Sequence, residues 1–424
     1  MKEEINFGKN LQMNEIIKNE KKIKKSSLLE KFIDISLLIF LCVKTGIGNS
    51  QALEYITFVM FVGSMMLKIL FLGKVKISKY VLWYFLFSAY ATTSYLWALD
   101  KSSVLKTIPI VIALLLFCIA IYNYINEDNK IEKIIKYFIV ANLFTSVRII
   151  LLFGASTGSI VDKINNITGI YFNTVAQVMG FSIILLFYMY KIHNNKLLLL
   201  AIIPQFYVVL LTESRKGLII PLIGIVIMLF LEKKTIKKLL KYIIVIMICI
   251  VILFNFFKIN SEFSEKMKQL YTSIIIGQTD DWSITLRNFF IEVGIEIFKD
   301  NPIKGIGLNN FAYYVGNHTG YTEERYSHNN YIEIISCLGI IGLLLYYSMH
   351  IYLMVKLIKK FMINKDTNII LAMTLMIIVL IFDWGIVSYS GCMYNIVILI
   401  AYKLSNKDNI VIMEENDDKK ILEK

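Results

Sequence analysis

A histidine stands where a hydrophilic segment meets a long apolar run: His328-Asn329-Asn330-Tyr331-Ile332-Glu333, then Gly339-Ile340-Ile341-Gly342. An imidazole at a water–lipid boundary can take a hydroxyl proton near neutral pH, the work of a general base. The plainer use of the same stretch is to end a loop, with Asn329 or Asn330 capping the helix that follows. Arg215 sits in Thr212-Glu213-Ser214-Arg215-Lys216-Gly217, a short turn between two apolar runs. Its guanidinium can hold an anionic group by paired hydrogen bonds, or snorkel to lipid headgroups and pair with Glu213. Arg287, in Trp282-Ser283-Ile284-Thr285-Leu286-Arg287-Asn288, opens an amphipathic stretch, and its plainest reading is a solvated loop residue paired with Asp280 or Asp281.

These residues need a scaffold, and composition says which. Of the 424 residues 57% are hydrophobic, and the mean hydropathy is +0.62, too apolar for a chain with a solvated surface. Apolar stretches near membrane-crossing length recur. About twelve are expected: 29–45, 53–72, 80–97, 104–125, 134–154, 170–190, 197–212, 217–231, 239–257, 331–355, 367–387 and 390–404. Lipid offers the backbone no hydrogen-bond partner, so these are helices and the fold class is an all-α integral membrane protein.

Lysines orient the spans. Lys21, Lys22, Lys24 and Lys25 precede the first. Lys74, Lys76 and Lys79 follow the second, Lys130, Lys133 and Lys136 the fourth, and Lys191 and Lys196 the sixth. Lys233, Lys234, Lys237, Lys238 and Lys241 follow the eighth, and Lys356, Lys359, Lys360 and Lys365 the tenth. Every second connection is basic, which predicts a cytoplasmic N-terminus. An even number of spans returns the C-terminus to the same side. The net charge of +13 thus follows from topology and argues against nucleic acid as a partner. Arg215 and Lys216 fall on the outer face, against the orientation rule, and so need a local reason.

The expected organisation is a polar cytoplasmic tail (1–27), a bundle of about nine spans (28–258), a long extracytoplasmic segment (259–329), further spans (330–404) and a cytoplasmic tail (405–424). The long segment holds six basic residues against nine acidic ones, the reverse of the inner loops. Connections of such length are usually functional. Within it Ile284, Phe289, Phe290, Val293, Ile297 and Phe298 recur at helical spacing, predicting an amphipathic helix on the membrane or on the bundle. Asn301-Pro302-Ile303-Lys304-Gly305-Ile306-Gly307 is a tight turn: it lacks the preceding strand and third glycine of a nucleotide loop. Tyr313, Tyr314, Tyr321, Tyr326 and Tyr331 could stack on sugars or form an interfacial belt. The five cysteines lie in apolar spans away from histidines, so neither a disulfide framework nor a metal site is expected. No cleavable leader is expected at the N-terminus.

In their order these segments resemble the O-antigen ligase and polysaccharide repeat-unit polymerase superfamily. The matching pieces are Gly169-Ile170-Tyr171-Phe172-Asn173, Ser214-Arg215-Lys216-Gly217, Arg287 with Asn301-Pro302…Gly305-Ile306-Gly307…Phe311, and His328-Asn329…Tyr331-Ile332-Glu333…Gly339-Ile340-Ile341-Gly342. The first piece lacks the usual Pro-Asn pair. The resemblance implies a glycosyltransferase acting at the outer face of the cytoplasmic membrane, with an undecaprenyl-diphosphate-linked oligosaccharide as donor. It implies catalytic roles for His328, Arg215 and Arg287, and substrate contacts from Asn173, Lys216, Asn329 and Tyr331. Partners would be the growing polysaccharide, a chain-length regulator and a flippase; no cofactor is implied. The Ile-, Lys- and Asn-rich composition favours a polymerase of capsular, O-antigen or exopolysaccharide units over a ligase acting on a lipid or protein acceptor. A flippase or transporter is the reading from another class. It predicts charges in mid-span, whereas the basic residues here gather at span ends.

Overall fold

The apolar runs are helices wherever the chain is seen. The computed structural model describes residues 28–47, 50–72, 75–126, 130–154, 156, 158–232, 282–321 and 323–406, and among them there is no strand. The expected span 239–257, the acidic pair Asp280-Asp281, Cys249 and nearly all of both tails lie outside the described residues.

The helices are α1 (28–42, continued by a π turn over Val43–Ile47), α2 (Gln51–Leu72), α3 (Lys79–Thr93), α4 (Lys101–Ile125) and α5 (Lys130–Leu152). Next come α6 (Ile160–Thr168), α7 (Phe172–His193), α8 (Ile202–Leu211) and α9 (Arg215–Leu231). After the undescribed stretch follow α10 (Trp282–Asp300), α11 (Phe311–His318), α12 (Asn330–Ile363), α13 (Thr367–Phe382) and α14 (Cys392–Asn406). By length and composition five of these can cross a membrane: Gln51–Phe71 of α2, then α4, α5, α7 and α12. The count of twelve is not reached on that criterion, because several expected spans are shorter or broken. The run 80–97 stops at Thr93, where the Ser94 hydroxyl bonds the carbonyl of Ala91. The run 197–212 opens as a 3-10 turn over Lys196–Ala201. The run 367–387 ends at Phe382, and residues 383–391 fold as a turn.

The α12 helix is broken at Gly339 (φ 64°, ψ −167°), and the break is filled by the 301–307 turn. An interrupted helix at membrane depth frees carbonyls and amides that lipid cannot satisfy, each at several kcal/mol. Here the freed carbonyls of Ser336, Cys337 and Leu338 accept from Ile306 N (3.1 Å), Gly307 N (2.7 Å) and Tyr90 Oη (3.0 Å). The freed amides of Ile340 and Ile341 donate to the carbonyls of Pro302 (2.9 Å) and Ile303 (3.3 Å). The close approach demands glycine: a Cβ on Gly339 would lie 2.3 Å from Ile303 O, and one on Gly305 2.4 Å from Cys337 C. The Asn-Pro turn and the glycine pair of α12, far apart in the chain, form one joint.

The expected amphipathic helix is α10, and its apolar face rests on the bundle. Phe290, Val293 and Ile297 are buried, and Gly294 sits so close to Ile332 that a Cβ would be 2.2 Å from its Cγ2.

The loops sort to two ends. At one, Lys130 and Lys133 pair with Asp34, Lys136 with Glu132 (2.6 Å) and Lys191 with Glu232 (2.5 Å). At the other, Trp97 Nε1 donates to Lys304 O (3.0 Å), Leu99 N to Ile306 O (2.9 Å), and Arg148 to Gly46 O (2.7 Å). Among the described residues, the basic connections around Lys130, Lys133, Lys136 and Lys191 thus share one end, as the alternation of lysines predicts.

Candidate active site

Two helices start side by side at the lysine-poor end. Parallel packing of α7 on α9 is set by small residues at matching heights: a Cβ on Gly217 would be 2.3 Å from Ala176 Cβ, one on Gly180 2.9 Å from Ile220, and one on Gly224 2.4 Å from Ile184. Small residues let backbones approach where lipid supplies no hydrophobic drive. The α9 helix is entered through a strained turn. Glu213 is left-handed (φ 52°), and Ser214 caps the helix by accepting from Gly217 N (3.3 Å). The first turn of α9 therefore carries Arg215 and Lys216. Cations there oppose the helix dipole, which prefers an anion at that end.

Lys216 precedes the apolar run 217–231 and reaches across to the 383–391 turn, where its ammonium donates to the carbonyl of Gly385. A side chain at Gly385 would meet it, since a Cβ would lie 3.0 Å from Lys216 Cε and Nζ. Burial, then the charges of Arg287 and Arg215, push the Lys216 ammonium down from 10.5 to about 7. Arg287, on α10, is thus brought beside Arg215 and Lys216 although about seventy residues separate it from them in the sequence.

The same charges act on His328. Its ring is half-buried between Phe290, stacked at 6.2 Å, and Tyr326 at 4.0 Å. Burial, then Lys216, Arg287 and Arg325, lower it from 6.5 to about 4, so the imidazole is neutral at physiological pH; the same cations keep it a weak base until an anion bound among them offsets their charge. Its backbone is left-handed (φ 56°), a conformation costing of order 1 kcal/mol that persists only when neighbours impose it. They do. Ser327 Oγ donates to Asn329 O (2.7 Å) and accepts from Asn329 N (3.2 Å), clamping His328 between them, and Ser327 N donates to the buried carboxylate of Glu333 (2.9 Å).

Three cations and a neutral imidazole thus meet where three helices begin, an arrangement suited to an acidic leaving group and a proton acceptor. The family model described as O-antigen ligase matches residues 197–347. This match supports the O-antigen ligase and polymerase superfamily for the chain. Members of that family are glycosyltransferase-like enzymes, and the match supports activity of the general ligase or polymerase type. A search of curated proteins found no match to the chain.

The matched segment contains Arg215, Lys216, Arg287 and His328, and the structure brings all four together. The remaining expected contacts are placed differently. Asn329 is the N-cap of α12, with Oδ1 accepting from Tyr331 N (3.0 Å) and Ile332 N (3.2 Å); its buried Nδ2 has no partner among the described residues. Tyr331 turns away from His328: its hydroxyl donates to Leu380 O (2.8 Å) and its ring stacks on Tyr347 at 4.7 Å. Asn173 lies outside the matched segment, half-buried one turn before Ala176 and level with the start of α9. Among the described residues no group of three or more histidines, cysteines or carboxylates could hold a metal ion.

One residue of this neighbourhood escaped the sequence reading. Asp383 follows α13, and burial pushes its carboxyl up to about 7. Its Oδ2 accepts from Tyr347 (2.8 Å) and Asn330 (3.4 Å), while the Asn330 amide donates to its carbonyl (2.7 Å). Asn330 Oδ1 in turn accepts from the amides of Ser388 and Tyr389. One network therefore anchors both the start of α12, next to His328, and the turn whose Gly385 holds Lys216. The signal that could have found Asp383 was an acid inside an apolar run, which is a functional candidate by default.

Proposed function

We propose that this protein polymerises polysaccharide repeat units carried on a polyprenyl diphosphate, by inverting glycosyl transfer at the outer face of the cytoplasmic membrane. The observation that carries the proposal is the meeting of Arg215, Lys216 and Arg287 with a neutral His328. In this mechanism the acceptor hydroxyl attacks the anomeric carbon of the donor, and the bond from that carbon to the diphosphate oxygen breaks. The electron pair leaves with the diphosphate, and the hydroxyl proton passes to His328. Charge developing on the leaving oxygen falls among the three cations, which are already oriented and half-withdrawn from water, so they stabilise it with little reorganisation. Those cations do the neutralising work that a divalent ion performs elsewhere, and this supports a metal-independent reaction. Approach from the face opposite the diphosphate inverts the anomeric configuration.

The domain match suits a ligase and a polymerase equally. Composition favours the polymerase, since abundance of Ile, Lys and Asn with only four prolines suits an AT-rich genome of the kind common in bacteria without lipopolysaccharide. Purified protein in lipid nanodiscs, given carrier-linked repeat units and a chelator, should produce a ladder of lengthening products and release undecaprenyl diphosphate. A single addition to a different acceptor would make it a ligase. Loss of activity on chelation would end the metal-free mechanism.

A further inference from the structure

His328 is held between two rings of opposite character. Phe290 stacks on it with planes 18° apart and is fully buried, which closes that side to any ligand. Tyr326 lies against it at 4.0 Å, tilted by 43°, and is 44% exposed. A sugar hydroxyl that gives its proton to His328 must therefore bring its own ring alongside Tyr326. Beside that ring, Arg325 and Glu323 form an exposed pair at 2.6 Å. Tyr171, 56% exposed at the mouth of α7, lies within electrostatic reach of both Tyr326 and Arg325.

The neighbouring tyrosines are engaged elsewhere. Tyr331 is stacked on Tyr347, Tyr313 and Tyr314 pack on His318, and Tyr321 packs on Phe289 and Phe290. We infer that Tyr326 is the aromatic floor of an acceptor subsite, stacking on the C–H face of a pyranose ring while the Arg325–Glu323 pair hydrogen-bonds its hydroxyls. The inference rests on the glycosyl-transfer reading above and adds the site that places the acceptor. An amphipathic ring that offers an apolar face and a wet edge suits a sugar, which has both. The subsite lies on the exposed side of His328, and Arg287 reaches Tyr326 by its charge, which truncating the ring leaves in place, so the two halves of the reaction should be separable by mutation.

The test uses full-length protein in nanodiscs and two probes. One is undecaprenyl diphosphate. The other is lipid-free, phosphate-free oligosaccharide released from the host's surface polysaccharide by partial hydrolysis. Tyr326→Ala should weaken oligosaccharide binding about tenfold, as loss of an aromatic-face contact does, with undecaprenyl diphosphate binding unchanged and Tyr326→Phe close to wild type. An unchanged oligosaccharide affinity in Tyr326→Ala overturns the subsite and leaves Tyr326 as an interfacial ring. So does loss of both probes together, or wild-type protein that binds only undecaprenyl diphosphate. Wild-type protein that binds neither probe contradicts the transfer reading itself.

Discussion

Two groups of cations, one at each end of the bundle, are held in opposite ways. At the lysine-rich end charges are matched: Asp34 takes Lys130 and Lys133, and Glu232 takes Lys191. At the other end Lys216 bonds a neutral carbonyl, and the cations beside it lower its proton affinity instead of raising it. Matched pairs hold helix ends together and leave little potential for a ligand. Like charges gathered in a half-buried site lower one another's proton affinity, and in the proposed mechanism a bound diphosphate would offset that repulsion. The lysines of the first end suit topology and packing; the proposed mechanism gives Arg215, Lys216 and Arg287 the chemistry.

The contrast can be broken most forcefully at the arginines. Arg215→Ala and Arg287→Ala should each lower single-turnover transfer about a hundred- to a thousand-fold in protein that still inserts and unfolds normally. Lysine at either position should rescue poorly, because it keeps the charge and loses the planar fork.

A smaller effect belongs to Lys216. With its value held near 7, it is cationic below that pH and neutral above it. The Lys216 contribution to undecaprenyl diphosphate affinity should therefore be lost as the pH rises through about 7, measured by titration in nanodiscs against Lys216→Met. His328, near 4, stays neutral over the same range and adds no limb of its own. Lys216→Met should bind more weakly at pH 6 and show no such fall; a fall that survives the substitution would assign it to another group.

The smallest effect on activity is expected at the matched end. Asp34→Asn removes the carboxylate shared by Lys130, Lys133 and Tyr124 and should lower stability by about 1–3 kcal/mol, read by thermal unfolding in detergent. Transfer should stay at the wild-type level. A large loss of transfer at unchanged stability would mean that the two ends are not functionally distinct.

Much of this was legible in the sequence for a physical reason: hydropathy and lysine placement are local, additive signals. Arg215 and Lys216 stood out because they lie on the wrong side for the orientation rule, and the structure gathers them with Arg287 and His328. What was hidden depends on contacts between distant segments. The Gly339 break is invisible in an uninterrupted apolar run, because it exists only where the 301–307 backbone replaces the missing helical bonds. Asp383 was masked by the apolar residues around it, which extended the expected span to 387 when the helix ends at Phe382. Tyr331 and Tyr326 are equally aromatic and both lie within three residues of His328 in sequence. Only the direction of α12, which aims Tyr331 at Leu380, distinguishes them.

The central claim is that His328 takes the proton while the cations take the diphosphate. It is tested most directly by measuring both activities in one variant, His328→Gln, which can hydrogen-bond but cannot serve as a base. The account predicts undecaprenyl diphosphate binding as in wild type, with transfer reduced about a hundred- to ten-thousand-fold, close to His328→Ala. Near-wild-type transfer by His328→Gln would contradict it, and would leave His328 as a residue that only orients the acceptor.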